Sequence, residues 1–486
     1  MTDDALSPAR FGAAFLHFLG EIHRATPPQG PVLADRIHAH LGADAAAFPI
    51  FTEAFDSFDH PNVQVALDDY LSEASGREST LIGIANEQKQ YLQTVLSVVV
   101  SGGAGMGMPP FVEGPVDYIT FHLADRTLSC VQYGIYMIRD GGTPLVVAVI
   151  GPGEMHGHQK MRVEVLATEP DAGEAFVKDI RERMSRLNVY RGHVISLSPG
   201  RLDMGAQSLV AFHTLPDVAR ENVILPEELL ERIERHTFVF AEHADQLRAA
   251  GRSLKRGMLL YGPPGTGKTL TLMYLIGRME GRTVLLTTGM GMGLLNPVMQ
   301  MARSLAPSMV ILEDVDLIAE ERGMPLFELL NQLDGLADDA DLIFALTTNR
   351  PEILEPALAA RPGRVDLAIE LPLPDAEARR KLLRLYGEGL ELVEVDLEPF
   401  ARETDGASPA YIKELLRRAS VLAAIEATDG DVSLKVTAAH LTRAIEELSE
   451  GGRLARRILG FQHADGSPGF PIEPGFPGPH PATWPA

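Results

Sequence analysis

The chain has 486 residues, with 43 Lys and Arg against 66 Asp and Glu, for a net charge of −23. That excess of acid argues against a nucleic-acid surface as the main partner. The single cysteine, Cys130, excludes an intrachain disulfide framework and a cysteine-based zinc site. Hydrophobic content of 45% suffices for several cores, and the length suggests about three domains of roughly 150 residues each.

Residues 1–100 read as a mostly helical N-terminal region. Phe11, Phe15, Phe18, Leu19 and Ile22 recur at helical spacing, and residues 32–41 and 63–71 do the same. No stretch approaches the roughly 18 uninterrupted apolar residues of a membrane span; the longest runs, 96–101 and 145–151, are strand-sized. The first residues, MTDDALSP, are acidic and lack the basic-then-apolar order of a signal peptide. The expectation is a soluble, cytoplasmic protein. Residues 101–110, SGGAGMGMPP, read as a linker.

Residues 111–214 read as a small α/β domain. Strands are expected at 117–123, 128–138, 144–150, 162–166 and 193–197, with one amphipathic helix at 174–187. The loop GEMHGHQK carries Glu154, His156 and His158, which read as a solvated hairpin tip before a metal site. Residues 226–248 read as a long helical lead-in.

The most informative stretch is 257–269, GMLLYGPPGTGKT. A short apolar run ends in a Gly/Pro-rich turn, then a Lys-Thr pair, then a helical stretch at 270–279, which is the strand–GxxxxGK[ST]–helix order of a phosphate-binding loop. Gly262, Gly265 and Gly267 let the backbone curl so that its N–H groups face a phosphate. Pro263, Pro264, Thr266 and Leu270 complete the loop and its helix entry. The helix N-terminus adds its partial positive charge. Lys268 is placed for the outer phosphates and the Thr269 hydroxyl for Mg²⁺.

Four more apolar runs follow, at 283–287, 309–312, 342–346 and 365–371, separated by helical stretches. With 258–261 they make five strands, and their continuous apolarity implies a mostly parallel sheet covered on both faces. Function in such a sheet gathers at the carboxyl ends of the strands. Glu313 and Asp314 end one run, and Asn349 ends another. Such carboxylates hold Mg²⁺ through water or orient the attacking water, and the Asn donates to phosphate or to that water.

Together GPPGTGKT at 262–269, the apolar-plus-acid run at 309–314, TTNRP at 347–351 and PALAARPGRVD at 356–366 resemble the AAA branch of the AAA+ ATPases, over about residues 222–450. The resemblance implies a large nucleotide-binding subdomain at 222–372 and a helical lid at 373–452. It further implies ATP and Mg²⁺ as ligands, Asn349 as sensor 1, and Arg361 and Arg364 as arginine fingers reaching a neighbouring subunit's nucleotide. GASPAYI at 406–412 resembles the lid motif GxSGADI, with Pro409 and Tyr411 as departures. The usual Asp-Glu acid order is reversed to Glu313-Asp314. That order, the valine in RPGRVD and a short segment before the acids resemble the mitochondrial Rieske-protein translocase group. TTGMGMGLLNP at 287–297, where a central pore loop is expected, carries Met290 and Met292 between glycines and no aromatic.

The resemblance thus implies a ring, a hexamer or a heptamer, that couples ATP hydrolysis to remodelling a protein substrate met by residues 1–214. Two alternatives stay open: a nucleotide-gated scaffold that scarcely hydrolyses, and a nucleic-acid-linked AAA+ machine. The Pro/Gly/His-rich tail, 453–486, reads as disordered.

Overall fold

The computed structural model describes residues 30–72, 77–85, 95–100, 111–152, 160–197, 210–287, 295–316, 340–352, 365–427 and 434–450, with a few positions between 11 and 18. The linker at 101–110, the Glu154-His156-His158 loop, the pore-loop methionines, Arg361, Arg364 and the tail lie outside them. The chain forms two compact bodies. One comprises Met1–Val218, Glu231–Leu260 and Leu272–Ile369; the other comprises Ala219–Leu230, Tyr261–Thr271 and Glu370–Ala486.

The first body contains two sheets. The N-terminal one is built from β1 (Ile50–Asp56), β2 (Glu78–Ile84), β3 (Glu113–Gly114), β4 (Asp117–His122), β5 (Thr127–Asp140), β6 (Thr143–Ile150) and β7 (Lys160–Ala167). Their order is β1-β7-β6-β5-β2-β3, with β4 also on β5, and every pair is antiparallel. Successive side chains of a strand point to opposite faces, and β6 shows the result. Val146, Ala148 and Ile150 join one core, with helices Leu33–Leu41 and Leu96–Val100. Leu145, Val147 and Val149 join the other, with helices His60–Ser72 and Pro170–Arg186.

One expectation for this region is corrected. Residues 50–56 and 78–84 are strands, not helix. Phe51 and Phe55 are four apart, a spacing that periods of 2 and 3.6 satisfy equally, so local pattern does not separate the two. Residues 96–100 are helical, as expected of the N-terminal region. The carboxylate of Glu164 on β7, wholly buried, accepts from Val95 N at 3.0 Å and Leu96 N at 2.7 Å and so supplies this turn with an N-terminal cap. Burial pushes the Glu164 carboxyl up, and the two amides pull it back down.

The second sheet holds all five strands expected of the nucleotide-binding part: β10 (Arg256–Tyr261), β11 (Thr283–Thr287), β12 (Ser308–Leu312), β13 (Leu342–Thr348) and β14 (Leu367–Glu370). It also holds β8 (Val194–Leu197) and β9 (Val210–His213), giving the order β14-β10-β13-β12-β11-β8-β9. The pairs β8–β11, β11–β12 and β12–β13 are parallel. Every residue of β12 and β13 is buried, which is why both read as unbroken apolar runs. The strand near 193–197 was expected with the N-terminal strands. It pairs instead with β11, Val194 opposite Val284, a partner too far along the chain for local pattern to reveal.

Residues 226–248 are not one helix but three, Glu227–His236, Phe238–Glu242 and Ala244–Ala249. Thr237 breaks the first from the second with non-helical φ −112° and ψ −100°.

The second body carries the helices Ala376–Tyr386, Leu397–Glu403, Pro409–Glu426 and Ala438–Glu450 around a core that includes Leu383, Phe400, Leu415 and Leu441. Asp375, Asp396 and Ser408 cap three of them, each accepting a backbone N–H of the first turn. Among the described residues no helix is long and apolar enough to cross a membrane.

Candidate nucleotide site

The phosphate loop leaves the carboxyl end of β10 and enters the helix Lys268–Arg278. Its curl rests on left-handed glycines. Gly262 has φ +143°, and a Cβ there would lie 2.4 Å from the Leu371 carbonyl oxygen. Gly265 has φ +78°, and its Cβ would lie 2.8 Å from both Ala410 Cβ and Ser408 Oγ. Gly267 has φ +96°. Such turns bring successive backbone N–H groups into one concavity. Thr266, 3% exposed, braces the loop by donating its hydroxyl to Pro263 O at 2.9 Å.

Lys268 is 7% exposed, and its Nζ donates to Gly262 O and Pro263 O, each at 2.9 Å. The ammonium is therefore held inside the curl. Thr269 and Pro264 are exposed, whereas Pro263 and Leu270 are half-buried. A cation, a helix N-terminus and convergent amides with no carboxylate among the loop residues suit a polyphosphate.

The lid helix Pro409–Glu426 begins against this loop. Ala410 N donates to Gly265 O at 3.2 Å, and Ser408 caps the helix by accepting from Tyr411 N at 3.2 Å. The two departures from the lid motif are explained here. Pro409 stands in the first helical turn, where its missing N–H costs nothing and its φ is already set. Tyr411, 2% exposed, fills the lid core.

The acids form a second cluster, in the first body. Glu313 N donates to Thr287 O at 3.1 Å, which continues the β11–β12 ladder by one bond. Asp314 follows with φ +49°, a left-handed conformation that Asp adopts more readily than most residues. Its N–H donates to Thr347 Oγ1 at 3.0 Å, and its carboxylate accepts from Asn349 Nδ2 at 3.1 Å. Asp314 and Asn349, named separately in the sequence, are thus in direct contact. Glu313, Asp314 and Asn349 are all half-buried.

Oxygen donors of the kind Mg²⁺ prefers are present in Thr269, Glu313 and Asp314. Among the described residues no group of three or more His, Cys, Asp or Glu forms a metal cage.

Sequence reasoning missed Asp316, Thr347, Thr348 and Ser408. Ser408 carried a legible signal, a serine directly before a helical run. The other three carried only proximity to Asp314 and Asn349.

The fold and this arrangement define a P-loop AAA+ module. Residues 258–373 match the family described as "ATPase family associated with various cellular activities (AAA)". The chain is 33% identical over 253 residues to the proteasome-activating nucleotidase of Methanothermobacter thermautotrophicus, covering 48% of this chain and 60% of that protein. It is 32% identical over 251 residues to the 26S proteasome regulatory subunit 8 homolog of Schizosaccharomyces pombe, covering 47% and 62%. It is 30% identical over 282 residues to the ATP-dependent zinc metalloprotease FtsH 1 of Sphaerobacter thermophilus, covering 54% and 41%. The chain thus spans less than two thirds of the length of each of these relatives.

Proposed function

We propose that the chain is an ATP-hydrolysing AAA-family ring ATPase that couples turnover to remodelling or translocation of a protein substrate. The observation that carries this reading is the Asn349 amide donating to the Asp314 carboxylate at the ends of β13 and β12. They belong to the sheet whose strand β10 runs into the phosphate loop.

In this reading Lys268 would serve the outer phosphates, and the oxygens of Thr269, Glu313 and Asp314 would be the protein's contribution to holding Mg²⁺. Bound Mg²⁺ would neutralise phosphate charge. Asp314 accepts a proton from, or orients, the attacking water, while Asn349 fixes the Asp314 carboxylate and senses the γ-phosphate. Arg361 and Arg364 complete the neighbouring subunit's site. Fingers acting in trans are worth roughly 10³–10⁵ in rate, about 4–7 kcal/mol. Hydrolysis therefore requires a ring, a hexamer or, given the Rieske-translocase-like Glu-Asp order, a heptamer. The relatives' printed names, a proteasome-activating nucleotidase and an ATP-dependent protease, support a protein substrate, and residues 1–214 are its receiving surface. The acidic composition and single cysteine suit work in the cytoplasm.

One observation favours the scaffold alternative: Asp314 is one methylene shorter than the Glu usual at its position. Steady-state turnover decides. ATP hydrolysis measured against protein concentration, with Lys268→Ala as blank, is expected to rise in specific activity as the ring assembles and to fall with Arg361→Ala or Arg364→Ala. A flat rate at the blank level, with ATP still bound, would leave the scaffold.

A further inference from the structure

The ladder between β12 and β13 ends at Leu312 opposite Leu346. Beyond that pair the two chains are held by side chains. Asp314 N donates to Thr347 Oγ1, and Asn349 Nδ2 donates to Asp314 Oδ1. Asp316 Oδ1 accepts from Thr348 Oγ1 at 2.8 Å and from Asn349 N at 3.3 Å. Thr348 Oγ1 in turn accepts from Arg350 N at 2.9 Å. Asp316 is 4% exposed and Thr348 is fully buried.

A carboxylate this buried is a costly choice where an apolar side chain would pack. Here its Oδ1 accepts from the Thr348 hydroxyl and the Asn349 N–H, and the Asn349 side chain meets Asp314. Resting on the hydrolytic reading above, we propose that Asp316 is a positioning residue. It fixes this turn through one bond from the Asn349 N–H and one from the Thr348 hydroxyl, so that the Asn349 amide holds the Asp314 carboxylate in a single orientation. The chemistry it needs is an acceptor oxygen, not a charge, so asparagine is the conservative replacement.

The test compares wild type, Asp316→Ala, Asp316→Asn and Thr348→Val in three readouts: ATP turnover across a range of ATP concentrations, affinity for a fluorescent ATP analogue, and hydrogen exchange of the backbone at 347–350. Misplacing a reacting group by about 1 Å costs on the order of 100-fold. Asp316→Ala is expected to lower kcat by roughly 10- to 100-fold while KM and analogue affinity stay within about threefold. Exchange at 347–350 should speed up. Asp316→Asn should restore kcat to within about threefold of wild type and restore protection, and Thr348→Val should fall between. An Asp316→Ala protein that melts lower but keeps kcat and exchange per folded molecule would make the residue merely structural and overturn the proposal. So would an Asp316→Asn protein as slow as the alanine variant. A wild type with no turnover would sink the hydrolytic reading instead, and exchange alone would then decide: unchanged protection at 347–350 in Asp316→Ala overturns the inference.

Discussion

At the scale of single residues, Asp314 shows how a short side chain is made to serve. Its φ of +49° turns the chain out of the strand direction, frees its N–H for Thr347 and sets its carboxylate 3.1 Å from the Asn349 amide. Asp populates this backbone region more easily than Glu. Lengthening the side chain therefore does not restore a better base; it strains the turn and carries the carboxylate past Asn349. We expect Asp314→Glu to hydrolyse ATP on the order of tenfold more slowly than wild type, with ATP affinity unchanged. A faster Asp314→Glu enzyme would mean that the backbone turn is not matched to aspartate. The reversed acid order was legible in the sequence. The turn that accommodates it was not, because φ at one residue depends on the Thr347 hydroxyl and on a strand 33 residues away.

At the scale of elements, the start of the helix His60–Ser72 couples stability to pH. Burial pushes the Asp59 carboxyl up from 3.8 to about 6; the Asn62 amide pulls it down, and Asp56 adds to the rise. The folded state therefore holds this proton more tightly than the unfolded chain. Its contribution is complete below about pH 3.8 and is lost as the pH rises through about 6. The neighbouring His60, buried and donating from Nε2 to Val131 O, has the opposite sign. Burial lowers it from 6.5 to about 4, so it destabilises the fold as the pH falls below 6.5. Asp59→Asn keeps a side chain able to pair with Asn62 and leaves His60 in place. The difference between variant and wild type thus isolates Asp59. Chemical denaturation from about pH 4 to 7 should show the variant gaining on wild type as the pH rises to about 6, by up to about 3 kcal/mol, then running parallel to it. A difference independent of pH would show that Asp59 titrates normally.

At the scale of the whole first body, residues 188–193 join its two sheets and are bound from both. On the N-terminal side Val189 N donates to Asn62 Oδ1, and the Tyr190 hydroxyl donates to Phe58 O at 2.6 Å. On the other side Gly192 N donates to Thr283 Oγ1, Arg191 donates to Ala306 O, and the Tyr190 ring lies 5.8 Å from that of Phe212 on β9. Tyr190 is 3% exposed. Tyr190→Phe keeps the ring and removes one donor, leaving the Phe58 carbonyl without that partner. The expected cost is about 1–3 kcal/mol of stability by urea denaturation. A loss below about 0.5 kcal/mol would show that the hydroxyl does not tie the sheets.

What the sequence determined by itself is what short-range chemistry encodes. The glycines at 262, 265 and 267 sit where positive φ is needed, and Lys268 and Thr269 open the following helix. The apolar runs of β10 to β13 are legible because strands buried on both faces leave no polar alternation. The acids and Asn349 follow because they end those runs. What only the tertiary structure decided involves partners far apart in the chain. β8 joins β11 across some ninety residues, Glu164 caps the helix Leu96–Val100 from a distant strand, and Asp316 reaches the backbone of Asn349. Each depends on a hydrogen-bond partner that no periodicity announces, since a backbone N–H takes whichever acceptor the packed sheets bring to it.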